Sequence, residues 1–180
     1  MELIAARLQK EEPKALYVHC VAHSLNLCLQ ECGQKCHAVR DALALTTEVG
    51  NLIRASHKRL AQFRHLRDSL SPGSPGLKPL CPTRWTVRNG VIDAVLKNYS
   101  TILAELEAIG AESQGEASHK ALGLLALMEK FSTYFGLKLS LLVFGATEQL
   151  SATLQYRGVN AQEATSAVSA AKSFFGQATV

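Results

Sequence analysis

This sequence has no long apolar run, no Cys-x-x-Cys pair and no glycine-rich phosphate loop. No uninterrupted apolar stretch approaches the roughly 18 residues of a membrane-spanning helix. The N-terminus has no basic region followed by an apolar core of signal-peptide length. Without a glycine-rich loop, the chain lacks a common phosphate-binding motif. We therefore expect a soluble intracellular protein without a membrane partner.

The composition is that of a globular protein. Apolar residues make up 47% of the 180 residues and charged residues only 19%, with 12 glycines and 5 prolines. A chain of this length can bury roughly 70% of its unfolded surface in one core. Disordered and fibrous classes are excluded, because both depart strongly from these proportions.

Acidic residues are scarce in the middle third of the chain. The net charge of the whole protein is +4. Residues 40 to 90 alone carry +6, because their only acids are Asp41, Glu48 and Asp68. The basic residues there are Arg40, Arg54, Lys58, Arg59, Arg64, Arg67, Lys78, Arg84 and Arg88. Any electrostatic footprint for an anionic partner is expected in this segment.

The hydrophobic periodicity predicts a mainly α fold, a bundle of long helices with one short β-strand. The strand is expected at residues 15–20, and a proline- and glycine-rich loop at 71–83. Asn160 is a candidate N-cap of the last helix, with Glu163 at its third position. Helices are expected at 2–11, from 22 onward, at 37–70 with a bend near Gly50, at 86–110, 120–130 and 134–156, and from 161 through Phe174 and Phe175.

Four of the five cysteines fall within 17 positions, next to histidines. Thiolates and imidazoles are zinc ligands, and a cysteine beside a histidine can act as a nucleophile. However, Cys28, Cys32 and Cys36 are spaced at i, i+4 and i+8, and no orienting acid is evident. We favour the interpretation in which these cysteines pack as small apolar groups, and we expect no metal and no cofactor.

A basic face runs along the segment that follows residue 50. Arg54, Lys58, Arg64 and Arg67, with two histidines, lie on overlapping faces of the predicted helix. Such a face could follow a phosphate backbone, or it could be an ordinary solvated surface. The scarcity of acids favours nucleic acid.

The only tryptophan stands between arginines, in the stretch Arg84-Trp85-Thr86-Val87-Arg88. An indole at a helix start is most often a core anchor. Beside arginines it can instead stack on an unpaired base while a guanidinium holds the neighbouring phosphate. The residues alone leave both interpretations open.

Two motifs together resemble the hAT superfamily of DNA transposases. One runs from Tyr17 to Leu27 and places Cys20 and His23 at the family's Cys-x-x-His signature. The other is Cys81-Pro82-Thr83-Arg84-Trp85, which carries its Arg-Trp signature. The closest likeness is to transposase-derived proteins of the MYM-type zinc-finger and THAP-domain kind. Leu150-Ser151 and Leu154-Gln155 also resemble a recurrent pattern in the helical insertion of that family.

The resemblance implies a ribonuclease H-like core interrupted by a helical insertion. Residues 1–24 would be the end of that core, with its last strand, and residues 25–180 an incomplete insertion domain. The family's three catalytic acids would lie upstream of Met1 and beyond Val180, so we expect no enzyme activity and no catalytic residue here. Cys20 and His23 would hold the junction of strand and helix, and the family's setting implies a nuclear protein.

Three hypotheses follow. The first is a remnant of a hAT transposase that binds DNA, non-specifically or as hairpin or single strand, through Arg84, Trp85 and Arg88 together with Arg54, Lys58, Arg64 and Arg67. The second is a helical module that binds a protein partner or a second copy of itself. The third is a truncated reading frame without function.

Overall fold

The computed structural model describes residues 2–14, 21–79, 88–112 and 115–177. Within these ranges the chain is mainly helical and contains no strand, which confirms a mainly α fold. The strand predicted at 15–20 lies outside the described residues. The helices are α1 (Glu2–Glu11), α2 (Val21–Lys35), α3 (His37–Arg54), α4 (His57–Leu70), α5 (Arg88–Lys97), α6 (Tyr99–Ala111), α7 (Glu116–Met128), α8 (Phe131–Gln155) and α9 (Ala161–Gln177).

The core is centred on α3, whose apolar residues recur every three or four positions. Its buried side chains form one stripe, as expected for an amphipathic helix. That stripe packs against α8 and α7. The approach to α8 is closest at Gly136, where a Cβ atom would lie 2.3 Å from the carbonyl oxygen of Ala38. The buried residues of α3 are Val39, Ala42, Leu45, Thr46, Val49, Gly50, Leu52 and Ile53.

The single helix predicted over residues 37–70 is in fact two helices. α3 continues through Gly50 and ends at Arg54, and the break falls at Ala55 and Ser56. Ser56 is extended, with φ −135° and ψ 132°, so the chain changes direction there. The two helices pack on different partners, α3 mainly on α8 and α4 mainly on α6. Periodicity could not reveal the break, because no proline or glycine marks it.

The helix predicted over residues 86–110 is also divided, at Asn98. This residue is fully buried, and its side-chain Nδ2 donates to the carbonyl oxygens of Pro75, at 2.8 Å, and Ala94, at 2.7 Å. The predicted loop is confirmed over 71–79, where the chain is not helical. Asn98 therefore connects that loop to the junction of α5 and α6. A segment distant in the sequence stabilises the break between these two helices.

Two further helix pairs complete the fold. α6 and α7 are joined by a hydrogen bond from the Ser118 hydroxyl to the Gly110 carbonyl, at 2.7 Å. α9 packs on α8 and buries none of its residues fully. Its predicted capping box is confirmed, since the Glu163 N–H donates to the Asn160 side chain at 2.9 Å and the Asn160 N–H donates to the Glu163 carboxylate at 3.2 Å.

Candidate nucleic-acid interface

The outer face of α4 is the most basic exposed surface on one helix of the described chain. α4 buries only Phe63, so the opposite side of the helix is open to solvent. That outer face carries His57, Lys58, Arg64 and His65, all exposed. Asp68 is its only acidic residue. A helix with this distribution presents positive charge to an anionic partner rather than to the core.

Lys58 and Arg64 are the cations of this face that a ligand can reach most readily. Lys58 forms an ion pair with Glu112, the residue that follows α6, at 2.8 Å between Nζ and Oε1, and the Lys58 side chain is 73% exposed. An exposed pair of this kind is worth about 0–1 kcal/mol, so a phosphate can replace the carboxylate. Arg64 is exposed and has no carboxylate partner among the described residues. These two residues are the core of the candidate interface.

Arg54 and Arg67 are held against the protein instead. The Arg54 guanidinium folds over Gly50, and its Nη2 donates to the Asn51 side chain at 3.1 Å. Burial lowers the pKa of Arg54 from its ordinary value. The Arg67 side chain is 24% exposed and pairs with Asp68 at 3.0 Å. Both guanidinium groups are therefore less accessible to a ligand than the side chains of Lys58 and Arg64.

Arg88 lies in a separate place, at the start of α5. It is half-buried and lines a cleft together with residues of α2 and α3, among them Arg40. The structure therefore divides the predicted basic residues between the outer face of α4 and this cleft. The sequence did not single out Arg40 as a binding residue, and its position in the first turn of α3 gave no signal of where it points.

Three of the residues predicted from motifs cannot be placed. Arg84 and Trp85 lie outside the described residues, as does Cys20. The partner of Cys20 in the motif, His23, is half-buried on α2. The role of these residues stays a prediction.

A buried carboxyl group lies behind the basic face. Glu105 of α6 is fully buried, and neither of its side-chain oxygens has a hydrogen-bond partner among the residues that the structure describes. Burial, with a smaller contribution from Glu112, raises the pKa of the Glu105 carboxyl to about 7, and the nearby Arg59 opposes that rise. The one signal in the sequence is a glutamate between the buried Ile102 and Leu106.

The predicted packing of the cysteines is wrong for two of them. Of the three cysteines in the described ranges, Cys28 and Cys32 are exposed on α2, and Cys36 packs against the core. The spacing i, i+4 and i+8 drifts around the helix, and α2 meets α3 and α8 with another part of its surface. Across the described ranges, no three histidine, cysteine, aspartate or glutamate side chains are grouped so that they could hold a metal ion.

By its fold and these surfaces, the chain belongs to the class of mainly α proteins with a basic helix face. In the part of the chain that the structure describes, no helix is both long and apolar enough to cross a membrane. Neither a protein-family model nor a solved structure matches the chain.

Proposed function

We propose that this protein derives from a hAT-type transposase and binds nucleic acid without cutting it. The resemblance of the two sequence motifs suggests the origin, and the outer face of α4 supports the activity. In the same proposal, residues 15–20 are the last strand of a ribonuclease H-like core. Residues 1–24 then belong to that core and 25–180 to the helical insertion, and the protein acts in the nucleus.

One observation carries the binding proposal. Over four turns, α4 exposes two cations and two histidines and only one acid, while it buries a single side chain. A positive surface of this kind attracts the phosphate backbone regardless of base sequence, and the affinity falls as salt rises. DNA is the expected partner, and Arg84 and Trp85 are expected to add contacts to unpaired bases.

The test measures binding of a fluorescent 20-base-pair duplex by anisotropy. Replacing both Lys58 and Arg64 by alanine should weaken binding about tenfold or more, because charge-assisted hydrogen bonds to two phosphates are lost. It should also reduce the dependence of log affinity on log salt by about two. Arg157→Ala is the control, since Arg157 is exposed on the connection between α8 and α9. Equal affinities of the double variant and the control would contradict the proposal.

A second candidate function is a protein-binding module or homodimer. It is favoured by an exposed aromatic cluster at the start of α8, formed by Phe131, Tyr134 and Phe135. Phe131 is 79% exposed, and its ring stacks on that of Phe135 at 6.1 Å between centroids. Large exposed apolar side chains that lie together are typical of interaction surfaces.

Salt separates the two candidates. Association through the aromatic cluster should persist at high salt, whereas binding to duplex should fall steeply. Sedimentation velocity in high salt should then give a dimer that Phe131→Ser and Phe135→Ser convert to monomer. A monomer at all concentrations would remove the homodimer from consideration.

A further inference from the structure

A cleft of about 350 Å³ opens where α2, α3 and α5 meet. Among the described residues, its walls carry no carboxylate. α2 contributes Gln30, Gly33 and Gln34, α3 contributes Arg40 and Leu43, and α5 contributes Arg88. Two arginines therefore line the same cleft as two glutamines.

Arg40 already has a carboxylate partner, but this pair occupies only part of its guanidinium group. Arg40 pairs with its neighbour Asp41, at 2.9 Å between Nε and Oδ1, and the two side chains are 50% and 66% exposed. A pair this exposed contributes little, and a guanidinium has five N–H donors, of which this pair uses one. Arg40 can therefore donate to a second anion on its other edge.

We propose that this cleft is a phosphate-binding subsite that holds one phosphodiester of a nucleic-acid backbone. Guanidinium groups bind phosphate oxygens through parallel, charge-assisted hydrogen bonds, for which Arg40 and Arg88 supply the donors. The side-chain amides of Gln30 and Gln34 add uncharged donors to phosphate or sugar oxygens. The volume admits a phosphate together with part of its sugar.

The subsite shares no residue with the outer face of α4, although the choice of nucleic acid as its ligand rests on the proposed function. Arg40 lies in the first turn of α3, and α4 begins beyond the last turn. At a rise of 1.5 Å per residue, Arg40 and Arg54 are about 21 Å apart along the axis of α3.

The experiment compares Arg40→Ala with Arg157→Ala in the duplex-binding assay. Arg40 is exposed on a helix, so its replacement by alanine should leave the fold intact, as circular dichroism would verify. We expect Arg40→Ala to weaken binding about fivefold to tenfold and to lower the salt dependence by about one, with little change for Arg157→Ala. Equal affinities of the two variants would overturn the subsite and leave the proposal for α4 standing.

A phosphate titration followed by NMR tests the cleft without DNA. Inorganic phosphate should shift the side-chain amide resonances of Gln30 and Gln34 in the wild type and not in Arg40→Ala. If these shifts occurred while the wild type failed to bind duplex, the proposal that α4 binds nucleic acid would be overturned. The proposal that the cleft binds phosphate would stand. If the shifts were missing and the wild type bound no duplex, both proposals would fall.

Discussion

α3 and α4 follow each other in the chain and differ in almost every physical respect. α3 buries eight residues. Three of them, Ala42, Val49 and Ile53, are at most 2% exposed. α4 buries one, Phe63. The difference teaches that one helix supplies stability, while its neighbour needs only enough apolar contact to stay docked. The rest of the α4 surface can therefore carry charged residues.

Among the substitutions considered, Phe63→Ala should lower the stability of the protein most. Phe63→Ala removes the only fully buried side chain that α4 contributes, and a large buried aromatic lost in this way costs about 3–5 kcal/mol. We expect the midpoint of urea unfolding to fall accordingly. Leu70→Ala is the matched control, because Leu70 belongs to the same helix but is 53% exposed. A loss for Phe63→Ala no larger than that for Leu70→Ala would show that α4 is not docked through this residue.

The contact between α3 and α8 should be the next most sensitive. Gly136→Ala would place a methyl group against the Ala38 carbonyl, so the helices must separate, at a cost of about 1–3 kcal/mol or more. Gly123→Ala of α7 provides the contrast. Beyond its chain neighbours and the backbone of α7 itself, no described atom lies within 4 Å of a Cβ at Gly123, and alanine there should stabilise the helix by about 0.5–1 kcal/mol. Thermal melts that moved in the same direction for both variants would contradict this account of α3.

The buried Glu105, at the contact between α4 and α6, should make the stability of the protein depend on pH. Because the folded pKa of Glu105 is raised to about 7 from an unfolded value of 4.5, the native state binds more protons than the unfolded state between these pH values. Stability should therefore fall as pH rises through that window and level off above it. Glu105→Gln should remove the fall and stabilise the protein on the order of 2 kcal/mol at pH 8.

Glu107→Gln is the control for this measurement, since Glu107 lies on the exposed side of the same helix. Urea unfolding at closely spaced pH values from 5 to 8.5 would compare both variants with the wild type. A pH dependence that Glu105→Gln left unchanged would mean that another group causes it.

Local patterns in the sequence predicted what depends on local interactions. The capping box of Asn160 and Glu163 and the loop from Ser71 both follow from residues close together in the chain. The division of the long helices did not, because the interruption at Asn98 is stabilised by the distant Pro75 carbonyl. The packing predicted for Cys28 and Cys32 was wrong for the same reason, since exposure depends on which side of α2 meets its neighbours.

The candidate site divides in the same way. The sequence by itself determined that positive charge is concentrated between residues 40 and 90 and that the surrounding chain is helical, since composition and period are properties of the chain. Only the tertiary structure decided which of those cations reach solvent. It left Lys58 and Arg64 exposed, held Arg54 and Arg67 against the protein and placed Arg40 and Arg88 in the lining of one cleft, because helix packing sets the direction of every side chain.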